Sequence, residues 1–248
     1  MKTKIVAVIN QKGGTGKTTT TINLGSALSK LGHKVLLLDL DPQSNLSYSL
    51  AVSSPDATLA EAFLGSKSMQ EILVQKDGIW VAPGSNELVD VEISLVSQPD
   101  REKFLKTLLS EVKGFDYVLI DCPPSLSVLT LNALTAAHEV LIPLQMEVLT
   151  LQGLDQIMNT INKVQKAFNP KLKIKGIVVV MFDVRRKLSL EVLEYLRENV
   201  KEKIFDSQIR LNVKLAEAPS FGKSVLDYDG TSNGAKDYKA LAVEFSNA

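Results

Sequence analysis

The sequence has little cysteine, no excess of charge of either sign and no long apolar run. Cys122 is its single cysteine, which excludes disulfide bonds within the chain and a cysteine-rich metal site. Lys and Arg number 28, as do Asp and Glu, so net charge favours neither nucleic acid nor membrane as a partner. No run approaches the roughly 20 apolar residues of a transmembrane helix, and Ile5–Ile9 is too short for the core of a signal peptide. We therefore expect a cytoplasmic protein.

Short apolar runs alternate along the chain with longer amphipathic segments. The runs that predict buried strands are Ile5–Ile9, Val35–Leu38, Tyr117–Ile120, Val140–Ile142 and Ile177–Met181, and the segments that predict helices are Thr19–Leu31, Gln152–Phe168 and Leu188–Val200. Continuously apolar strands favour a sheet covered on both faces, and their alternation with helices favours parallel order. We predict one α/β domain over residues 1–248, with a doubly wound, mostly parallel sheet and helices on both faces. In the less regular region Ser53–Pro99 we expect short helices and one strand around Trp80.

A glycine-rich loop follows the first predicted strand. It reads Asn10-Gln11-Lys12-Gly13-Gly14-Thr15-Gly16-Lys17-Thr18-Thr19 and leads into the first predicted helix. Glycines let backbone N–H groups approach phosphate oxygens, and the start of a helix adds the positive end of its dipole. In a P-loop of this kind Lys17 contacts the β- and γ-phosphates and the Thr18 hydroxyl binds Mg²⁺. The spacing is unusual, because Gln11 stands where the first glycine is expected and a second lysine, Lys12, follows it.

Aspartates follow two of the predicted strands. Asp39 and Asp41 lie at the end of the second strand, and Asp121 follows Tyr117–Ile120. Because ligands of an open parallel sheet bind beyond the carboxyl ends of its strands, these carboxylates should face the phosphates. We predict that Asp41 orients the attacking water, that Asp121 contacts the water shell of Mg²⁺ and senses the γ-phosphate, and that both lie with Thr18 at the metal. Asp39 is expected to be a local hydrogen-bond partner.

These segments resemble a known group of ATPases. The loop Lys12–Thr19 resembles the deviant Walker A motif of the ParA/MinD class. The segments that resemble the ParA/Soj branch of that class are Asp39-Leu40-Asp41-Pro42-Gln43, Asp121-Cys122-Pro123-Pro124-Ser125, Met181-Phe182-Asp183-Val184-Arg185 and Leu215–Lys223. The similarity extends from about Lys4 to about Tyr238, which is nearly the whole chain.

The resemblance implies an enzyme that hydrolyses ATP with Mg²⁺ and forms a homodimer around the nucleotide. Lys12 would then cross the interface to phosphates bound by the other subunit, so the implied catalytic residues are Lys12, Lys17, Asp41 and Asp121. The positions that the resemblance implies for adenine are Met181, Asp183, Asn212 and Pro219. The chain departs from the family there, because it has Ile209-Arg210-Leu211-Asn212 where the family usually has Ile-Pro-Arg-Asn.

Charge is uneven along the chain although its total is neutral. Against one anion, Asp183, residues 163–187 contain the cations Lys163, Lys166, Lys171, Lys173, Lys175, Arg185, Arg186 and Lys187. Such a patch suits phosphate contacts that carry no sequence information. The resemblance also implies non-specific DNA binding in this part of the chain, and the candidate residues are Arg185, Arg186, Lys187 and Lys214. A basic face that is merely solvated is the alternative interpretation.

The resulting hypothesis is an ATP-driven switch on the nucleoid that positions a chromosome, a plasmid or a protein cargo. The resemblance implies hydrolysis stimulated by a ParB-like protein or a cargo adaptor. The first alternative is a membrane-associated spatial regulator like MinD. Against it, the segment Ala235–Phe245 carries two Lys, one Asp and one Glu and predicts a helix packed on the domain, so we expect no stable membrane association. A metabolic or metal-carrier ATPase of the same superfamily is the second alternative.

Overall fold

The computed structural model describes residues 3–52, 55–147 and 150–247, and within them seven strands form one sheet flanked by helices. The strands are β1 (Lys4–Val8), β2 (Val35–Asp39), β3 (Val74–Lys76), β4 (Ile79–Ala82), β5 (Tyr117–Asp121), β6 (Glu139–Gln145) and β7 (Lys173–Val180). The helices are α1 (Lys17–Lys30), α2 (Asn45–Ser49), α3 (Leu59–Phe63), α4 (Met69–Ile72), α5 (Leu88–Leu95), α6 (Phe104–Ser110), α7 (Val128–Ala136), α8 (Thr150–Ala167), α9 (Lys187–Asn199), α10 (Val213–Glu217), α11 (Val225–Tyr228) and α12 (Asn233–Asn247). The predicted α/β architecture is confirmed.

The order of the strands places three loops at one edge of the sheet. The order is β3-β4-β2-β5-β1-β6-β7, and every neighbouring pair is parallel except β3 with β4. In the register of the sheet, Val8 and Asp39 both pair with Asp121. Because parallel strands end at the same edge, the loops after β1, β2 and β5 meet there, as the sequence predicts for the P-loop and the aspartates.

Both faces of the sheet are buried, which explains why the central parts of its strands, such as Val6–Val8 and Leu36–Leu38, are continuously apolar. Alternate residues of a strand point to opposite faces. Accordingly Val6, Val8 and Leu37 belong to a core cluster that includes α1 and α12, whereas Ala7 and Leu36 belong to a second cluster that includes α7, α8 and α9. Two separate cores therefore hold the sheet between layers of helices.

The irregular region contains one strand more than predicted. Ser53, where the predicted region begins, lies outside the described residues, and the part from residue 55 to residue 99 holds α3, α4, α5 and two strands. Trp80 lies in β4, as predicted, but β3 pairs with it as an antiparallel edge strand. Asp77 and Gly78 join the two strands with φ of 48° and 83°, and an Asp-Gly pair favours such a tight hairpin turn. That dipeptide is the signal that periodicity alone misses.

The C-terminal segment forms a helix packed on the domain, as predicted. Tyr238, Leu241 and Phe245 of α12 are fully buried in the same core cluster as α1. The Tyr238 hydroxyl also lies 3.1 Å from Thr20 Oγ1 of α1. None of the helices in the described ranges combines the length and the apolar character needed to cross a membrane.

Candidate nucleotide-binding site

The loop between β1 and α1 borders an open cavity of about 480 Å³, which we call the phosphate cavity. Gly14 and Gly16 have φ of 73° and 74°, in the left-handed region that glycine adopts without strain. Asn10 fixes the start of the loop, because its Oδ1 accepts a hydrogen bond from the Lys12 N–H (3.0 Å) and its Nδ2 donates to the Pro143 carbonyl (2.7 Å). Within the described residues no side chain caps the start of α1, so its first N–H groups are available to an anion.

The two lysines of the loop point to different partners. Lys17 is buried and lines the phosphate cavity, and its Nζ donates to the Lys12 carbonyl at 3.3 Å. Burial lowers the pKa of Lys17, while the nearby Asp121 and Asp41 carboxylates act in the opposite direction. Lys12 extends outwards instead, with its Nζ 2.7 Å from Glu147 Oε2, and both of these side chains are about half exposed. Lys17 is therefore placed for a phosphate of its own subunit, and Lys12 for a contact at the surface.

Thr18 and Asp121 meet beneath the loop. Thr18 Oγ1 donates to Asp121 Oδ2 at 2.6 Å. Burial raises the pKa of Asp121 well above its ordinary value, and the charge of the adjacent Asp39 raises it further. The second oxygen of Asp121, Oδ1, is buried and has no hydrogen-bond partner among the described residues. A hydroxyl beside a buried carboxylate with a free oxygen is a donor set that fits a hard cation such as Mg²⁺.

Asp39 accepts local hydrogen bonds, as predicted. Its Oδ2 accepts from the N–H and the Oγ of Ser47, at 2.8 and 2.6 Å. Burial raises the pKa of Asp39 to about 6. Ser47 Oγ in turn accepts from the Gly84 N–H at 3.0 Å, and a Cβ on Gly84 would lie 2.5 Å from the Asp39 carbonyl oxygen. This close-packed network ties α2 and the loop after β4 to the end of β2.

Asp41 lies in the turn that this network supports. It is buried, lines the phosphate cavity, and accepts the Gln43 N–H on its Oδ1 at 2.9 Å. Sequence reasoning misses other residues that line the same cavity, namely Gln43, Asn45, Ser49 and Pro124. Gln43 and Pro124 each follow a predicted aspartate by two or three residues, so the motif contained a signal for them. Asn45 and Ser49 reach the cavity because of how α2 is oriented, which the sequence pattern does not reveal.

A second cavity, of about 160 Å³, adjoins the loop at Gly16 and Thr19, and we call it the base cavity. Met181 and Asn212, two of the predicted adenine contacts, line it. Sequence reasoning misses most of the remaining lining, which consists of Val180, Ile209, Arg210, Leu211, Leu215, Ala216 and Tyr238. These residues come from β7, from the segment before α10, from α10 itself and from α12. Only the fold brings these four parts of the chain together.

The other two predicted adenine contacts lie outside the described lining of the base cavity. Asp183 is held by Arg185, whose Nε and Nη2 each donate to one of its oxygens at 2.8 Å. These hydrogen bonds lower the pKa of Asp183 to about 2. Pro219 lies in the 3-10 turn Ala218–Phe221. Asp183 is thus paired within its own loop and Pro219 lies in a neighbouring turn, so their contact with adenine stays a prediction.

The eight cations of residues 163–187 do not form one patch. Lys173 starts β7 and Lys175 is buried near its start, beside Glu139 and over the Phe245 ring. Arg185 and Lys187 follow the other end of β7, where their side chains are 84% and 90% exposed. A strand of eight residues spans about 25 Å, so the two groups lie at opposite edges of the sheet. Closeness in sequence overstated the size of the basic surface.

A smaller basic surface remains at the carboxyl edge. It consists of Arg185, Arg186, Lys187 and Lys214, and we call it the basic edge. A bridge between Phe182 and Arg210 runs parallel and brings the segment that leads to Lys214 beside the segment that leads to Arg185. Lys214 Nζ is also 2.9 Å from Glu217 Oε2. The four predicted DNA contacts are thus at the same edge of the sheet as the phosphate cavity.

Comparison with known proteins gives concordant matches. A family model described as an AAA domain matches residues 3–174. The chain is 44% identical over 248 aligned residues to the chromosome partitioning protein ParA of Caulobacter vibrioides, covering 97% of this chain and 93% of the relative. It is 42% identical over 246 residues to the sporulation initiation inhibitor protein Soj of Bacillus subtilis, covering 97% of both. A solved structure of cobyrinic acid a,c-diamide synthase from Mycobacterium smegmatis with bound ADP and magnesium matches with a TM-score of 0.85 and 38% identity, over 98% of this chain and 93% of that chain.

The parallel sheet, the glycine-rich loop and the Thr18–Asp121 pair define a P-loop nucleotide-binding protein. Within that class, the chain belongs to the ParA/Soj family of ATPases, because it matches ParA and Soj over nearly its whole length. The ADP and magnesium of the solved relative agree with the ligands that the sequence predicts for this site.

Proposed function

We propose that this chain is a Mg²⁺-dependent ATPase that dimerises around ATP, binds DNA without sequence preference and drives the partitioning or positioning of a chromosome, a plasmid or a protein cargo. The observation that carries the proposal is that Lys17, Thr18 and Asp41 line the phosphate cavity, and that the buried Asp121 is hydrogen-bonded to Thr18. The partition role is supported by the relatives named ParA and Soj.

Binding of the triphosphate would use the loop and Lys17. Backbone N–H groups at the start of α1 would donate to phosphate oxygens. Lys17 Nζ, which donates to the Lys12 carbonyl, would exchange that neutral acceptor for a charged one, and charge-assisted hydrogen bonds are roughly twice as strong as neutral ones. Burial of Lys17 increases the benefit, because a buried cation gains most from an anionic partner.

Thr18 and Asp121 would hold the Mg²⁺ ion, with Asp41 beside them. Asp121 has a free buried oxygen for this purpose, and its neighbour Thr18 has the hydroxyl. When bound, the ion supplies positive charge that stabilises the transferring phosphoryl group. Asp121 also lies at the end of β5, directly before the segment that contributes Pro124 to the phosphate cavity, so it can transmit the state of the nucleotide to that segment.

Asp41 would orient the water that attacks the γ-phosphorus. Its Oδ1 is already fixed by the Gln43 N–H, which leaves the second carboxylate oxygen to face the water. The new bond joins the water oxygen to phosphorus as the bond to the β–γ bridging oxygen breaks, and ADP and phosphate are the products. Removing the carboxylate should therefore slow hydrolysis while the phosphate contacts persist.

Lys12 would act on the nucleotide of a second subunit. In the single chain it is paired with Glu147 at the surface. An exposed pair of this kind contributes about 0–1 kcal/mol, so a triphosphate offered by another subunit would compete with it effectively. A cation delivered in this way neutralises charge on the phosphoryl group as it is transferred, which makes dimerisation a condition for efficient hydrolysis.

The basic edge would hold the ATP-bound dimer on the nucleoid. Its exposed arginines and lysines suit phosphate contacts that do not depend on sequence. A ParB-like protein or a cargo adaptor would then stimulate hydrolysis and release the dimer. A membrane-bound alternative of the MinD kind is less well supported, because the apolar face of α12 is buried against α1 in this chain.

The test is nucleotide-dependent sedimentation of the Asp41→Ala variant with DNA and, in parallel, with anionic liposomes. We expect this variant to sediment with DNA in ATP and Mg²⁺ but not in ADP, and to remain in the supernatant with liposomes. Lys17→Ala in the same background is the control and should sediment with neither. Sedimentation with liposomes but not with DNA would contradict the proposal in favour of a membrane regulator.

A further inference from the structure

Arg210 lines the base cavity. It forms a fork with Asp237 of α12. Its Nε lies 3.1 and 3.0 Å from the two carboxylate oxygens, and its Nη2 donates to Asp237 Oδ1. The Arg210 backbone N–H donates to Asp237 Oδ2 at 3.0 Å.

The fork fixes the orientation of a planar cation at the mouth of the cavity. Asp237 is 9% exposed, so it is an anchor, whereas the Arg210 side chain is 45% exposed and reaches the surface. Asp237 also precedes Tyr238, which lines the same cavity, so the fork connects two parts of one wall. Because Asp237 binds Nε and Nη2 along one edge of the guanidinium, the pairing does not use the flat faces of that group.

The rest of the base cavity suits a flat aromatic ring. Val180, Ile209 and Leu215 supply apolar walls, and Gly16 and Thr19 join the cavity to the phosphate loop. A polar contact is also available, since Asn212 Oδ1 accepts the Lys214 N–H at 2.9 Å and leaves the amide N–H groups of Asn212 for the edge of a ring. Guanidinium groups stack on aromatic faces, and a guanidinium that is already oriented loses less entropy when it does so.

We propose that the Arg210–Asp237 fork is the outer wall of a purine site, in which the guanidinium of Arg210 stacks on the base and Asp237 acts as the positioning residue. The inference rests on the proposed function, because it assumes that the P-loop holds the phosphates of the same nucleotide. Stacking uses the π face, which adenine and guanine share. Arg210 therefore adds affinity for a purine nucleotide without selecting one purine over the other.

The test is calorimetric titration of the wild-type chain and of Arg210→Ala with ATP, GTP and inorganic tripolyphosphate, each with Mg²⁺. Stacking predicts that Arg210→Ala weakens binding of ATP and of GTP by about tenfold each, within the range known for cation–π contacts, and leaves tripolyphosphate binding unchanged. An equal loss for all three ligands, no loss at all, or a loss for only one purine would overturn the proposal. Failure of the phosphate site itself would be visible separately, because the wild-type chain would then not bind tripolyphosphate.

Two further variants separate stacking from a structural role. Arg210→Lys retains the charge but has neither the plane nor the fork, so its ATP affinity should fall below that of the wild type; wild-type affinity would overturn the proposal. Because Arg210→Ala leaves Asp237 unpaired, Arg210→Ala/Asp237→Ala is measured with it. It should show the same selective loss for ATP and GTP, and thermal denaturation without ligand confirms that it is folded. If this double variant regains wild-type ATP affinity, the effect of Arg210→Ala came from the unpaired carboxylate and the proposal is wrong.

Discussion

At the scale of single residues, the charged forms of Lys17 and Asp121 stabilise one another. Burial opposes the charge of each, and each carries the charge that favours ionisation of the other. Asp39 adds a further carboxylate, with its pKa raised to about 6 by burial. A site with several carboxylates and one buried lysine is incomplete without further positive charge, which explains why a nucleotide would bind here together with a divalent cation.

Lys17→Ala should abolish nucleotide binding. The variant loses the buried cation that faces the phosphates, and it leaves Asp121 without its principal positive neighbour. Calorimetry with ATP and Mg²⁺ should show no measurable heat of binding, whereas the exposed-lysine control Lys106→Ala should bind as the wild type does. Tight ATP binding by Lys17→Ala would refute the assignment of the P-loop.

Glu147→Gln should promote dimerisation. Neutralising Glu147 removes the ion pair that holds Lys12 within its own subunit, at 2.7 Å. Because such an exposed pair contributes about 1 kcal/mol at most and each of the two subunits loses one, the dissociation constant of the ATP-bound dimer should fall by up to about 30-fold. Analytical ultracentrifugation in ATP and Mg²⁺ measures this, with Glu111→Gln as the control. A weaker dimer would mean that Glu147 contributes to the dimer itself and does not restrain Lys12.

Motif spacing is informative for some residues and uninformative for others. It predicts Lys17, Thr18 and Asp121 as site residues, because the chemistry of phosphate and metal restricts which side chains can follow a glycine loop or a strand. It could not identify the partners of Lys12 and Arg210, because Glu147 and Asp237 are 135 and 27 residues away in sequence. Such pairs depend on the packing of whole elements.

At the scale of secondary-structure elements, the position of Asp41 depends on the close packing of β2, α2 and the loop after β4. Gly84 has no room for a side chain, since its Cβ would lie 2.5 Å from the Asp39 carbonyl oxygen and 3.1 Å from Asp39 Cγ. The same glycine donates its N–H to Ser47, which binds Asp39. A displacement at Gly84 would therefore be transmitted through Ser47 to the turn that carries Asp41.

Gly84→Ala should destabilise the fold and slow hydrolysis. Overpacking of this kind typically costs about 1–3 kcal/mol, and the end of β2 must move to relieve it. Thermal denaturation without nucleotide should show a lower midpoint, and the hydrolysis rate should fall more than the affinity for ATP. Gly153→Ala is the matched control, because its Cβ meets nothing within 4 Å and alanine is the better helix former in α8. Equal stability of the two variants would refute the close-packed network.

Secondary structure was predictable where the pattern is long and regular. The buried strands and helices α1, α8 and α9 match the predicted segments to within a few residues, because burial on both faces makes the centre of each strand continuously apolar. β3 was missed since its three residues are too few to show alternation, although the Asp77-Gly78 turn marks the hairpin. The basic surface was predicted to be too large for a related reason. A strand separates the cations before it from those after it, so they lie at opposite edges of the sheet.

At the scale of the whole molecule, the candidate functional sites lie together at one edge of the sheet. The phosphate cavity, the base cavity and the basic edge all adjoin the carboxyl ends of the strands, whereas Lys173 and Lys175 lie at the opposite edge. The DNA site and the nucleotide site would therefore be close enough for binding at one to affect binding at the other. Length and net charge could not predict this arrangement, because both are averages over the whole surface.

Arg185→Glu should weaken DNA binding, whereas Lys173→Glu should not. Both variants reverse one exposed positive charge and lie 12 positions apart in sequence, but they flank β7 at opposite ends. Charge reversal at a phosphate contact should reduce affinity by about tenfold or more for any DNA sequence and make binding less sensitive to salt. DNA retention at several salt concentrations measures this in ATP and Mg²⁺. Equal loss in the two variants would point to long-range charge effects and contradict the assignment of the basic edge.

The central claim is that ATP joins two subunits through Lys12, and light scattering on the slow-hydrolysing Asp41→Ala variant tests it most directly. In saturating ATP and Mg²⁺ the mass should double, whereas in ADP it should remain that of one chain. Adding Lys12→Ala to the variant should keep it at the mass of one chain while ATP still binds. A variant that remains monomeric when saturated with ATP, or that dimerises equally well without Lys12, would contradict the account.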